Sequence, residues 1–356
     1  MNRLASYIIV GVLKGTAFVA FALVSVAAVI EFVGQLDDVG LASYGLDDAL
    51  LFVALRIPHK IFDVLPAAAL LGALLSLGNM AVHRELVVMR TTGVSHYRLL
   101  GAVGTAGVVL LIVMLLLGES LAPSLGAYAR SMRADALLEE VDTASTRSTW
   151  FKHEDRIFSL QQPRETGEYN QAAKIFELDG PTSLRQLARA DSVTTVNSET
   201  WELRGYAETS FGTDTTTARR EARIDQDFGL DPELLALSEV RVDLLDTPAL
   251  VDYIAYLERN GLDASSYLAA YWGRIANGAS VVLMAILALP FVLGGLRSAG
   301  TGARMVVGLV IGLGYYVFVR LSAQIGEVFS IDPVVAAWAP GGLLLLITLV
   351  AVLRLR

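Results

Sequence analysis

Residues 99–117 read LLGAVGTAGVVLLIVMLLL, an apolar run without a single charged side chain. At about 1.5 Å of rise per residue, a helix of roughly 20 such residues crosses the 30 Å hydrocarbon core of a bilayer. Soluble core helices are rarely so long and so uniformly apolar. The run extends over 99–123, and five more stretches share its character: 15–36, 50–81, 268–295, 304–329 and 333–353. The 356 residues are 54% hydrophobic and 18% charged, less charge than the roughly 25% of a soluble domain. These features predict a membrane α-helical protein with six transmembrane helices. The stretch 50–81 contains Pro58 and Pro66 and exceeds the length a bilayer needs, so it should tilt, kink or protrude.

The N-terminal run is too long for a signal-peptide core and no clear cleavage site follows it, so a retained first span is expected, led by a short amphipathic stretch from Arg3 to Lys14. Lysines and arginines in short loops set the orientation. Arg84, Arg90 and Arg98 follow the second span, Arg297 and Arg304 the fourth, and Arg354 and Arg356 end the chain. With Arg3 they form one basic set, expected on the cytoplasmic side with both termini. Asp37, Asp38, Asp47 and Asp48 follow the first span, and Glu327 and Asp332 the fifth. Residues 124–267 therefore lie outside, between an N-terminal membrane half, 1–123, and a C-terminal one, 268–356.

The outer segment has a different pattern. WFKHEDRIFSLQ (150–161), AAKIFELDG (172–180), SLRQLARADSVTTV (183–196), TWELRGYAETSF (200–211) and TTTARREARIDQDF (215–228) alternate in part between turn residues. They predict an all-β meander or sandwich. A connecting helix over 248–260 follows, with Thr247 as N-cap, Pro248 at its first position, and Leu250, Ile254 and Leu257 on one face.

No engine is evident in the chain. The nearest approach to a nucleotide-binding loop, GGLRSAGTGAR (294–304), lacks the lysine that would hold the phosphates and sits between two spans. There is no HExxH, GxSxG or paired-histidine spacing among four histidines, and no cysteine, so no catalytic or metal site is expected. The net charge of −8 offers no sign of a nucleic-acid partner.

Three groups of residues stand out. Gly308 and Gly312 form a GxxxG in the fifth span, and Gly101, Gly104 and Gly107 open the third; small residues let membrane helices approach closely, within this chain or against a second subunit. Glu31, His59, Lys60, Arg130, Arg133 and Arg320 recur near one depth, the outer leaflet boundary. They read either as snorkelling side chains with an internal Glu31–Arg320 ion pair, or as a cationic ring for an anionic, phosphorylated lipid headgroup. The loop after the second span, HRELVVMRTTGVSHYR (83–98), sets Leu86, Val87 and Met89 beside Arg84, Glu85 and Arg90. That apolar cluster suits a helix docking a cytoplasmic partner, placed over about 83–97.

LPAAALLGALLSLGNMAVHRELVVMRTTGVS (65–95) and YWGRIANGASVVLMAILALPFVLGGLRSAGTGARMVVGL (271–309) closely resemble the permeases of the lipopolysaccharide transport system, the LptF/LptG family, and RELVVMRTTG resembles the LptG branch more. The resemblance covers all six spans in order. It implies a periplasmic β-jellyroll, an inner-membrane location, and a paired LptF-type permease. It further implies an LptB-type ATPase dimer that uses ATP and Mg, an LptC-type bridge protein, and lipopolysaccharide as the cargo extracted from the outer leaflet. No cofactor is expected in this chain. The resemblance carries the ATPase-coupling role to Arg84, Glu85, Leu86, Val87 and Met89, the lipid-phosphate role to Arg130 and Arg133, and places Gly308 and Gly312 on a gate helix. Glu31, Asp37 and Asp38 depart from it, being acids where familiar members carry lysines. Two other readings stay open: a scaffold or sensor with an outer ligand-binding domain, and a membrane enzyme using Glu31, Asp63 or Glu119.

Overall fold

The protein is represented by a computed structural model that describes residues 3–138, 147–153, 156–162, 173–179, 183–195, 200–212, 215–227, 242, 245–294 and 300–354. Arg297 and Arg356, in the basic set above, lie outside them. The chain divides into two compact units. One comprises residues 1–141, 242–247 and 265–356; the other comprises 142–241 and 248–264.

The first unit is helical. Among the described residues its elements are α1 (Arg3–Gln35), α2 (Leu46–Val82), α3 (Glu85–Thr91), α4 (His96–Leu116), a π turn (Leu117–Leu121) and α5 (Ala122–Leu138), then α7 (Ser265–Leu293), α8 (Thr301–Val328) and α9 (Pro333–Leu353). Six of its helical segments are long and apolar enough to cross a membrane, with α4, the π turn and α5 forming one of them. α2 and α7 are the most buried of the six and α1 and α8 the least. α2 is central: α1, α5, α7 and α8 all pack on it, and α7 also carries α4 and α9. Leu70, Leu74, Leu77, Val103, Ala106, Met284 and Leu287 form the middle of the core. With lipid as apolar as leucine, close backbone approach is what holds such helices together. Gly15 and Gly72 show it: a Cβ on Gly72 would collide with the backbone of Thr16.

Three boundaries differ from expectation. The amphipathic stretch and first span are a single helix, α1. The helix of the third span does not end at Pro123 but runs on to Leu138. Proline has no N–H to donate, and the π turn directly before Pro123 takes up the missing bond without breaking the rod. The helix expected over 83–97 is the seven-residue α3. Gly93, at φ +91°, cannot continue it, and Ser95 accepts the Arg98 N–H to start α4.

The second unit carries an antiparallel sheet. β1 (Arg147–His153), β2 (Arg156–Gln162), β3 (Ala173–Leu178) and β4 (Leu184–Ala190) pair in sequence, and β4 pairs with β6 (Thr200–Phe211). β5 (Ser192–Thr195) continues β4 along the same side of β6, while β7 (Thr216–Asp227) takes its other side. The described strands are thus a meander. Asp191 breaks β4 from β5 opposite Gly205, whose φ of +64° only glycine adopts without strain. Trp201 and Leu203 are buried on one side of β6 and Glu202 and Tyr206 on the other. Glu202 holds Arg204 at 2.6 Å and Arg223 at 2.9 Å. Burial, and then the Glu208 carboxylate that accepts its hydroxyl at 3.0 Å, push Tyr206 up to about 12. α6 (Thr247–Arg259) buries Leu250, Ile254 and Leu257, the face expected from spacing.

Candidate functional site

Two clusters lie at opposite ends of the helical unit. The first is built on α2, where Arg56, His59, Lys60 and Asp63 fall three and four residues apart and share a face. Glu31 of α1 projects into it. Its carboxylate accepts from Arg56 Nη1 at 2.5 Å and lies 2.7 Å from Lys60 Nζ. Asp63 sits 3.9 Å from His59 Nε2 and 4.0 Å from Arg320 Nη2 on α8. Arg133 of α5 donates from Nε to Asp38 at 3.1 Å, with a second bond from Nη2. The guanidinium carbons of Arg133 and Arg56 each stand 5.7 Å from the Phe52 ring centre, so one aromatic carries two cations. Arg130, one turn before Arg133, is half-buried.

The structure therefore brings the residues singled out at this depth together but pairs them differently. The Glu31–Arg320 pair is not formed. α1 packs along α2, so Glu31 reaches the α2 cations, while Arg320 meets Asp63 from α8. Arg56 is the member that sequence reading missed; its place four residues before Lys60 was the available signal. The arrangement is mixed: three acids, Glu31, Asp38 and Asp63, stand among the cations Arg56, Lys60, Arg133 and Arg320. Each acid already answers one or two bases, and Arg320, stacked on Tyr316 and 62% exposed, is the most open of the paired cations.

The carboxylates that an enzyme reading would use do not converge. Glu31 and Asp63 hold the partners just described. Glu119, in the π turn, accepts the Thr247 N–H at 3.0 Å and the Thr247 hydroxyl at 2.6 Å. Thr247 is thus the first residue of α6, capped by Glu119, rather than a cap itself. Arg274 completes this junction, donating to the Leu245 carbonyl at 2.5 Å and the Val242 carbonyl at 3.2 Å.

The second cluster surrounds α3. Arg84 precedes it at φ 60°, a left-handed turn that is costly for a side-chain-bearing residue and folds α3 back on the end of α2. Leu86 and Met89 are buried members of the main core, which also includes Leu77, Met80 and Leu99. Val87 and Val88 are exposed, at 39% and 59%, and so is Arg90. Of the apolar residues expected to face a partner, only Val87 is exposed; Leu86 and Met89 are buried, and Val88 joins Val87 outside. Glu85 accepts the Tyr7 hydroxyl of α1 at 3.0 Å. Gly308 and Gly312 of α8 lie against α2, where added Cβ atoms would stand 2.6 Å from Leu74 and 3.1 Å from Ala67.

The sequence has known relatives. The Lipopolysaccharide export system permease protein LptG of Haemophilus influenzae is 30% identical over 341 residues, covering 96% of this chain and 95% of that protein. The LptG permease of Escherichia coli is 28% identical over 336 residues, or 94% and 93% of the two chains. Residues 6–354, nearly the whole chain, match one family throughout: the chain belongs to the family described as Lipopolysaccharide export system permease LptF/LptG.

Proposed function

We propose that this chain is the LptG-type permease subunit of an ABC transporter that extracts lipopolysaccharide from the outer leaflet of the inner membrane and passes it to a periplasmic bridge. The observation that carries the reading is the match over 6–354, with α3 and the charged cluster both inside it. The chain is a transport subunit, and ATP hydrolysis belongs to a separate LptB-type dimer. The basic loops set the α3 end and both termini in the cytoplasm. The sheet unit then lies in the periplasm, as a jellyroll that meets an LptC-type partner. α1 and α8, the least buried spans, face an LptF-type permease and form the moving sides of the lipid cavity.

In this arrangement Glu85, Val87 and Arg90 meet the ATPase, while Leu86 and Met89 hold α3 in place. Arg130, Arg133, His59, Lys60, Arg56 and Arg320 present cations to the headgroup, with Glu31 and Asp38 tempering them. A phosphorylated glycolipid engages such a site by exchanging internal carboxylates for its own anions. Purification from native membranes, with identification of the co-purifying ATPase and bound lipid, tests the reading. Lipid-free chain without an ATPase would defeat it.

A further inference from the structure

The end of α2 and the start of α3 are each held by one of the two least buried spans. Arg304, near the start of α8, is 2% exposed, and its Nη1 donates to the Gly78 carbonyl of α2 at 2.6 Å. The position is shaped for it: a Cβ on Gly78 would stand 2.6 Å from Arg304 Nη1 and 3.1 Å from its Cδ. The same edge of α8 continues up α2 through Gly308 at Leu71 and Leu74 and Gly312 at Ala67, so Arg304 is the last rung at the α3 end. From α1, Tyr7 reaches Glu85, the first residue of α3.

Resting on the reading of α3 as the ATPase contact, we propose that Arg304 and Tyr7 are positioning residues that carry displacement of α3 into α8 and α1. A charge-assisted bond from a buried guanidinium is strong, and stripping such a group of its acceptor is strongly unfavourable. α8 therefore follows the Gly78 carbonyl when the end of α2 moves. The Tyr7 bond is more exposed and weaker, so α8 is the tightly driven helix and α1 the loosely driven one.

The test uses the complete transporter in lipid nanodiscs containing lipopolysaccharide, with spin labels at Val88 on α3, Val310 on α8 and Leu116 on α4 as reference. The variants are Gly78→Ala, which displaces Arg304 without removing its charge, Arg304→Lys, which keeps a donor, and Tyr7→Phe. Trapping with ATP and vanadate should shift both the Val88 and Val310 distances in the parent. In Gly78→Ala the Val88 shift should persist and the Val310 shift disappear. Lipid released per ATP should fall by about fivefold or more while ATP hydrolysis stays within about twofold. Arg304→Lys should lie between, and Tyr7→Phe should lower the ratio less. The inference is overturned if the Val310 shift survives in Gly78→Ala, or if hydrolysis and release fall together so that their ratio is unchanged, which marks a merely structural contact. A parent complex that releases no lipid, or whose Val88 label stays still, removes the transport reading and this inference with it.

Discussion

Replacing Glu31 by glutamine should tighten binding of a phosphorylated glycolipid while making the protein less stable. Glu31 lies between Arg56 and Lys60 at 2.5 and 2.7 Å, and its side chain is 14% exposed. As it stands, the trio carries a net charge of +1; the substitution makes it +2. A phosphate about 6 Å from the added charge gains about 3 kcal/mol at an effective dielectric constant near 20. Screening and relaxation of the two long cationic side chains reduce this to about 1–1.5 kcal/mol, or roughly tenfold in affinity. The stability change has the opposite sign. Two partly buried cations lose their shared carboxylate, which costs about 2 kcal/mol, between the values for exposed and buried pairs. Titration of the detergent-solubilised permease pair with lipid A, at low and high salt, reads the first effect, and a thermal melt reads the second. The affinity gain should shrink as salt rises. Unchanged or weaker binding at both salt concentrations would refute the placement of Glu31 beside the headgroup.

Other outcomes follow from the same geometry. Arg133→Glu, set against Asp38, should abolish photocrosslinking of lipid at this end of the cavity while the subunits still co-purify. Glu85→Lys should weaken ATPase association by about tenfold in a pull-down titration, whereas Leu86→Ala should lower the melting temperature through about 2–4 kcal/mol of lost core packing. Tyr206 is pushed up to about 12 in the folded sheet, so the folded form holds its proton more tightly than the unfolded chain. The stability it contributes is complete below pH 10 and is lost as pH rises towards 12, and Tyr206→Phe should flatten that part of an alkaline denaturation profile.

The spans were legible because their signal is length, and length survives every detail of packing. α8 and α9 start and stop within a few residues of the apolar runs. Pro123 misled because a π turn lets a helix pass a proline, and nothing in local propensity announces that turn. The strand-forming stretches were visible by alternation, but Asp191 divides what reads as one strand, SLRQLARADSVTTV, into β4 and β5. At the charged cluster, sequence gave the depth of Glu31, Lys60 and Arg320 but not their azimuth around each helix. Depth alone made Glu31 and Arg320 natural partners, and only the docking of α1 and α8 on α2 assigns them to different charges. In α3, Leu86 and Met89 could face in or out by periodicity; the left-handed turn at Arg84 turns them inward.

The crossing of Gly15 over Gly72 makes α1 a lever with a fixed fulcrum. Below it, Ile8, Ile9 and Val12 are embedded in the core; above it, Val19 and Val24 still pack inward, while Phe18, Phe21, Val26, Val29 and Ile30 are exposed. Glu31 lies about 23 Å along α1 from Thr16, counting 15 residues of helix. A rotation of only about 5° about the crossing moves that tip by roughly 2 Å, enough to part the carboxylate from both Arg56 and Lys60. Were α1 to turn about the Gly15–Gly72 crossing, the Glu31 contacts at its far end would part, and opening and uncovering two cations would be one motion.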